Sequence, residues 1–220
     1  MKSTTVSAGR KRNPARSREA ILDAAEKIFA DDGYDGSSLT AIGHDAGVSA
    51  ALTAYFFGDK AGLYEAVIQR LFEDRDRHLR PICDEAIAVV ETPGTDPRQR
   101  LRSGLEILVS GYLRFLQQRP SFVRLMAREA LDIPRRATAP RHSKAFQEGV
   151  EGFIAALAPR AGAAVDEGQL VITIVALCFF PLEHEATMLA GMGYKTWTDQ
   201  FIADRTEHVV DVLMRVLRRD

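Results

Sequence analysis

Lys60 carries the first chemical signal in this chain. Asp59 is a good N-cap, so Lys60 falls in the first turn of a helix that should run to about Leu79. A cation there faces the positive end of the helix dipole, at a cost of roughly 0.3–1 kcal/mol. A phosphate held at the same helix N-terminus reverses that sign. A solvated lysine that tolerates the cost is the plain alternative.

The elements that would position a phosphate contact lie just upstream, in SSLTAIGHDAGVSAALTAYFFGDK, residues 37–60. Ser37 and Ser38 are N-cap residues for a helix Leu39–Ala46, with Leu39, Ile42 and Ala46 on one face. Gly47 suits a left-handed C′ position, Val48 plugs the core, and Ser49 caps a second helix, Ala50–Phe57. Gly43 sits inside the first helix at a cost of about 1 kcal/mol against alanine, which points to a close helix crossing. Two short helices about a tight turn make a helix-turn-helix, an element that usually reads DNA; an ordinary αα-corner is the bland alternative. A helix Arg16–Asp31 precedes it, with Ile21, Ala24, Ala25, Ile28 and Phe29 at helical spacing. The helix from Lys60 follows, with Leu63, Tyr64, Val67, Ile68, Leu71 and Phe72 on one stripe.

On these residues, 16–75 resemble the DNA-binding domain of the TetR family of bacterial transcriptional regulators. The resemblance is carried by Ile21–Ala25, Phe29, Gly33-Tyr34, Ser38-Leu39, Ile42, Ala46-Gly47-Val48-Ser49, Tyr55-Phe56-Phe57, Lys60 and Leu63-Tyr64. It implies an all-α chain: an N-terminal three-helix helix-turn-helix domain followed by a larger helical ligand-binding and dimerisation domain. It also implies a regulator, more often a repressor than an activator. Such a regulator binds a palindromic operator in double-stranded DNA as a homodimer and is released by a small-molecule effector. By position, Ser38 and Thr40 would touch phosphates and Lys60 would hold one. Ala50, Ala51, Ala54 and Tyr55 would face the major groove, and Ser49 at the start of their helix is a further DNA-binding candidate.

The departures from the family pattern are informative. Many relatives carry Lys-Gly-Thr where this chain has Ala50-Ala51-Leu52, and tyrosine where it has Ala54. Thr53 takes a position usually filled by a buried aliphatic residue. Alanine can meet thymine methyls but cannot make the bidentate pairs that separate bases by about 1–3 kcal/mol. Specificity should therefore lean on Tyr55, thymine contacts and DNA shape. A regulator that kept its sensor and lost DNA reading is the rival.

Residues 1–18 carry Lys2, Arg10, Lys11, Arg12, Arg16 and Arg18 and no acid. The stretch 1–13 reads as a basic arm, disordered when free. Arg10 and Arg12 would follow the DNA backbone or enter a minor groove; a solubilising tail is the alternative. Asn13-Pro14 suits an N-cap and first helical position. The expected domains are 14–75, with the motif at about 38–57, and 76–220. Net charge is −1, so any DNA affinity must come from local asymmetry. Cys83 and Cys178 are far apart and lack metal-ligand spacing, which fits a reducing cytoplasm. The longest uncharged apolar stretch, Leu170–Leu182, is too short to span a bilayer. No nucleophile elbow, phosphate-cradling glycine loop or metal-spaced His/Cys set supports an enzyme, a cofactor or a metal site.

Beyond residue 80, Pro81 should interrupt the fourth helix, and residues 92–97 form a loop. Helices are then expected over Arg98–Gln118, Ser121–Asp132, His142–Ala158, Asp166–Leu189 and Thr198–Arg218. The fourth of these is apolar all round for half its length, so both of its sides need burial. The resemblance implies that the last two helices pair with their mates in a four-helix bundle. The candidate seam is Leu170, Ile174, Leu177, Phe201, Val209, Val212, Leu213 and Val216. The effector pocket should lie among helices bearing Tyr112, Met126, Phe146 and Phe179, with Arg128, Cys178 and His184 as polar candidates. Pro181 lacks an N–H and should free a carbonyl at a kink.

Overall fold

The computed structural model describes residues 13–94, 96–132 and 166–217. Among them every regular element is helical, as expected for an all-α chain. The expected helix His142–Ala158, with Phe146, lies outside the described residues, as do Arg10 and Arg12. The chain forms two compact units divided between Ile68 and Gln69.

The first unit contains α1 (Pro14–Asp32), α2 (Leu39–Asp45), α3 (Ala50–Phe57) and the start of α4 (Lys60–Glu91). Asn13 caps α1, its Oδ1 accepting from the Ala15 N–H at 3.1 Å, with Pro14 at the first helical position. Gly33 ends α1 at φ 75°, a conformation that costs glycine little. Ser38 and Ser49 cap α2 and α3, accepting from the N–H groups of Ala41 and Leu52 at 3.1 and 3.2 Å. The turn between these helices passes through Gly47 at φ 65°, and the Val48 N–H donates to the Gly43 carbonyl at 2.8 Å. A Cβ on Gly43 would lie 3.1 Å from both Thr53 Oγ1 and the Val48 carbonyl oxygen, so this glycine is the contact point of the crossing. Ile21, Ala25, Phe29, Ile42, Leu63 and Val67 are fully buried, drawing α1, α2 and α4 around one core. Tyr34 and Tyr64 pack edge-on at 5.2 Å, and Tyr64 packs edge-on against Phe29 at 4.8 Å.

The second unit contains the rest of α4, α5 (Pro97–Gln118), α6 (Pro120–Asp132), α7 (Glu167–Glu183), a π-helical turn Glu185–Leu189, and α8 (Asp199–Val216). The central helix is α5, which packs on α6, α7 and α8. It buries Leu101, Leu105, Leu108, Val109, Leu113 and Leu116. A Cβ on Gly111 would fall 2.6 Å from Ile82 Cγ2, so α4 and α5 also meet closely. Phe122 packs edge-on against Phe72 and Phe115, and Arg119 Nε donates to Asp74 Oδ2 at 2.7 Å.

Two expected helix boundaries are corrected. Pro81 does not interrupt α4, which continues to Glu91. The stripe Leu79, Cys83, Ala86 and Val90 remains buried on both sides of the proline, so packing outweighs a local cost of about 3 kcal/mol. Conversely, the helix expected to reach Leu189 ends at Glu183, where it passes through His184 into the π-helical turn.

Candidate functional site

Recognition chemistry in the first unit gathers on α3. Ala51 and Tyr55 are exposed, Tyr55 by 81%, while Ala50 and Ala54 are half-buried beside them. Thr53 is fully buried, and its hydroxyl donates back to the Ser49 carbonyl at 3.3 Å. Phe57 is half-buried with the Arg18 guanidinium 5.1 Å from its ring centre, and Phe56 packs edge-on against Tyr55 at 5.5 Å. Ser38, Thr40 and Ser49 are exposed at the starts of α2 and α3. The two serine oxygens already accept helix N–H groups, which leaves each O–H able to donate elsewhere.

Lys60 has a partner that the sequence alone did not reveal. Its Nζ donates to the carbonyls of Tyr34 and Ser37 at 2.8 and 3.1 Å, and lies 4.3 Å from the centre of the Tyr34 ring. Asp59 caps α4 as expected, accepting from the Gly62 N–H at 2.8 Å. The two carbonyls and the ring face offset the unfavourable helix dipole and tie the α1–α2 connection to the start of α4. Tyr34 precedes Lys60 by 26 residues, so no local pattern links them.

In the second unit a cavity of about 20 Å³ lies among Leu79, Cys83, Leu108, Tyr112, Ile174 and Val175. Of the residues expected to line a pocket, Tyr112 does so. Cys178 is fully buried nearby; Met126 and Phe179 are half-buried, Arg128 is exposed, and none of these four lines the cavity. His184 caps the end of α7 instead, stacked on Phe180 with ring centres 4.1 Å apart. Burial pushes the Cys178 thiol up to about 12, while burial and then Asp84 push Cys83 up to about 11. Burial likewise raises the Tyr112 phenol. Both thiols are therefore poor nucleophiles near neutrality.

Arg75 was not among the sequence candidates. It is 5% exposed and sits one turn before Leu79 and two before Cys83 on the buried stripe of α4. Its Nε and Nη2 donate to Asp76 Oδ1 at 2.9 and 2.6 Å, and its guanidinium lies 4.6 Å from the centre of the Phe72 ring. Desolvation lowers its pKa. The readable signal was an arginine inside the otherwise apolar stripe Leu71, Arg75, Leu79, Cys83. A wider, open groove of about 720 Å³ runs along α5 and α8, bordered by Arg102, Ser110, Arg114, Asp199 and Glu207.

The seam residues divide. Leu170, Ile174, Val209 and Leu213 are buried within the single chain, in which α7 packs on α5, α6 and α8 and Ile174 also lines the cavity with Leu79 and Cys83 of α4. Their side chains belong to the core of the single chain. Leu177, Phe201 and Val212 are half-buried, and Val216 is 61% exposed. Ile172 (60% exposed) and Phe180 (42%) add apolar surface on α7 that the sequence reading passed over. Pro181 sits inside α7 and withholds the N–H that the Leu177 carbonyl would receive. Arg205, from α8, replaces it with two donors, Nε at 2.9 Å and Nη2 at 2.7 Å.

Comparison with known proteins agrees with this architecture. Residues 21–67 match the description "Bacterial regulatory proteins, tetR family", and residues 102–213 match "Tetracyclin repressor-like, C-terminal domain". The chain is 26% identical to the HTH-type transcriptional repressor NicS of Pseudomonas putida over 211 residues, covering 93% of each protein. It is 35% identical over 103 residues to the HTH-type transcriptional repressor BepR of Brucella suis, covering 41% of this chain and 49% of that protein. A crystal structure of a TetR-family regulator from Mesorhizobium loti superposes with a TM-score of 0.67 at 18% identity, covering 94% of this chain and 98% of that one. With both parts of its length matched and the helix-turn-helix built as described, the chain belongs to the TetR family of bacterial transcriptional regulators.

Proposed function

We propose that this regulator is a repressor that binds a palindromic operator as a homodimer and releases it when a small molecule enters its second unit. The observation that carries the reading is the α2–α3 pair: capped, locked at Gly43, and presenting Ala50, Ala51, Ala54 and Tyr55 outward. In this reading Ser38, Thr40, Ser49 and Lys60 meet phosphates on either side. The similarity to NicS along 93% of the chain supports repression rather than activation.

A palindrome requires a two-fold dimer. The apolar surface on neighbouring helices, Ile172 and Phe180 on α7 with Val212 and Val216 on α8, is the kind of face that such a pairing covers. The effector site is the cavity at Tyr112. At about 20 Å³ it holds roughly one water, so an effector must part the helices around it. Helix α4 lines that cavity with Leu79 and Cys83 and is continuous back to Lys60, which supplies a covalent route for the motion. Among the described residues no helix is long and apolar enough to cross a membrane, which suits action on cytoplasmic DNA.

The test is selection of bound duplexes from a randomised pool at near-physiological salt, using the full chain. A recovered palindrome is the expected result. Binding without a motif that vanishes as salt rises would sink the reading and favour a sensor that no longer reads DNA. A ligand that binds tightly yet leaves operator affinity unchanged would remove the coupling.

A further inference from the structure

We propose that the operator half-site is read through thymine C5-methyl groups, received by the Ala51 and Ala54 methyls and the Tyr55 ring. This rests on the DNA-binding reading above and specifies its chemistry.

The recognition helix is AALTAYFF, with no Arg, Lys, Asn, Gln, Asp or Glu. Its only hydroxyls are those of Thr53 and Tyr55. The structure removes Thr53, which is fully buried with its hydroxyl turned onto the Ser49 carbonyl. The outward arc is therefore three alanine methyls and one phenol ring that is 81% exposed.

Each base pair makes a different demand in the major groove. Guanine offers two acceptors and wants a cationic fork; adenine wants an amide; cytosine offers a donor and wants an acceptor such as a carboxylate. Thymine alone presents an apolar methyl. Apart from the single Tyr55 hydroxyl, the α3 arc has no side chain for the first three demands, and it has four apolar groups for the last. Small residues also let the helix axis approach the base edges closely, as a short methyl must. The Tyr55 hydroxyl adds one hydrogen bond at the edge of the arc. Burying one methyl is worth about 0.8 kcal/mol, or about four-fold in affinity.

The experiment uses the wild-type protein and its selected operator, with each thymine replaced in turn by deoxyuridine, which deletes only the methyl. Affinity should fall about four-fold at one or two positions in each half-site, and about fifteen-fold when the matching positions of both half-sites are changed together. Other thymines should be silent. Ala51→Gly should lose the preference for thymine over deoxyuridine at its own position, whereas Tyr55→Phe should keep the methyl effect. Indifference to every methyl overturns the proposal, as does an operator without thymine in its half-sites. An unchanged thymine preference in both Ala51→Gly and Ala54→Gly also overturns it. If the glycine variants do not fold, the deoxyuridine scan on the wild type decides alone. Failure to recover any motif would strike the DNA-reading function itself, whereas a motif without methyl sensitivity strikes only this inference.

Discussion

At the scale of single residues, Lys60 shows how one side chain can hold a fold and still suit a phosphate. Its ammonium uses two N–H donors on the Tyr34 and Ser37 carbonyls. Charge-assisted bonds of that kind contribute about 1.5–3 kcal/mol each at most, so Lys60→Ala should destabilise the free protein by about 2 kcal/mol. A thermal melt without DNA checks this; an unchanged melting temperature would mean the ammonium is not anchored. Loss of operator affinity in this variant must accordingly be read against its melt before it is assigned to a phosphate. Cys178 gives a prediction in pH. Its thiol ionises near 9.0 when free and at about 12 in the fold. Below pH 9 both states hold the proton and stability is unaffected; between 9 and 12 only the unfolded state loses it, so stability falls as pH rises. Melting temperatures taken from pH 8 to 11 should fall less steeply for Cys178→Ala than for the wild type.

At the scale of elements, the two prolines inside helices parted ways: Pro81 did not break its helix, whereas Pro181 freed a carbonyl as expected. Pro81 left α4 running, because apolar packing on four successive turns outweighs one missing bond. Pro181 did free a carbonyl, but the structure answers it with Arg205 from α8. That arrangement makes a coupled pair. Arg205→Ala should cost about 1–3 kcal/mol, because it orphans the part-buried Leu177 oxygen and removes a charged donor. In a Pro181→Ala background the same change should cost distinctly less, since residue 181 then supplies its own N–H. A double-mutant cycle by denaturant unfolding measures the difference; additive costs would mean Arg205 acts elsewhere.

At the scale of the whole molecule, the distribution of charge along the chain bears on DNA affinity. Residues 13–68 contain four lysines and arginines against nine carboxylates, so the folded DNA-reading unit is itself acidic. Lys2, Arg10, Lys11 and Arg12 precede it. Removing residues 1–12 should lower the salt dependence of operator binding by about 3–4 counterions per protomer, seen in the slope of log affinity against log salt. An unchanged slope would leave the arm without a DNA role. The proposed dimer face makes a second prediction: Ile172→Asp combined with Phe180→Asp should yield a folded monomer by sedimentation, with operator affinity lost. A dimer that persists would move the seam away from α7.

By itself the sequence determined the all-α class and the helix-turn-helix, together with its caps at Ser38, Ser49 and Asp59 and the close crossing at Gly43. The caps depend on interactions within one helical turn, and Gly43 meets Val48, Ala50 and Thr53 just across the turn, so letters close together in the chain suffice to specify them. Tertiary structure decided what Lys60 binds, what answers Pro181, that Arg75 is buried on the α4 stripe beside Asp76, and which apolar residues of α7 and α8 the chain keeps for itself. Leu170 and Ile172 look equally apolar on the page. Only the helices packed around α7 bury the first and leave the second exposed, because helical periodicity ranks faces by apolarity but does not name the neighbour that will cover each one.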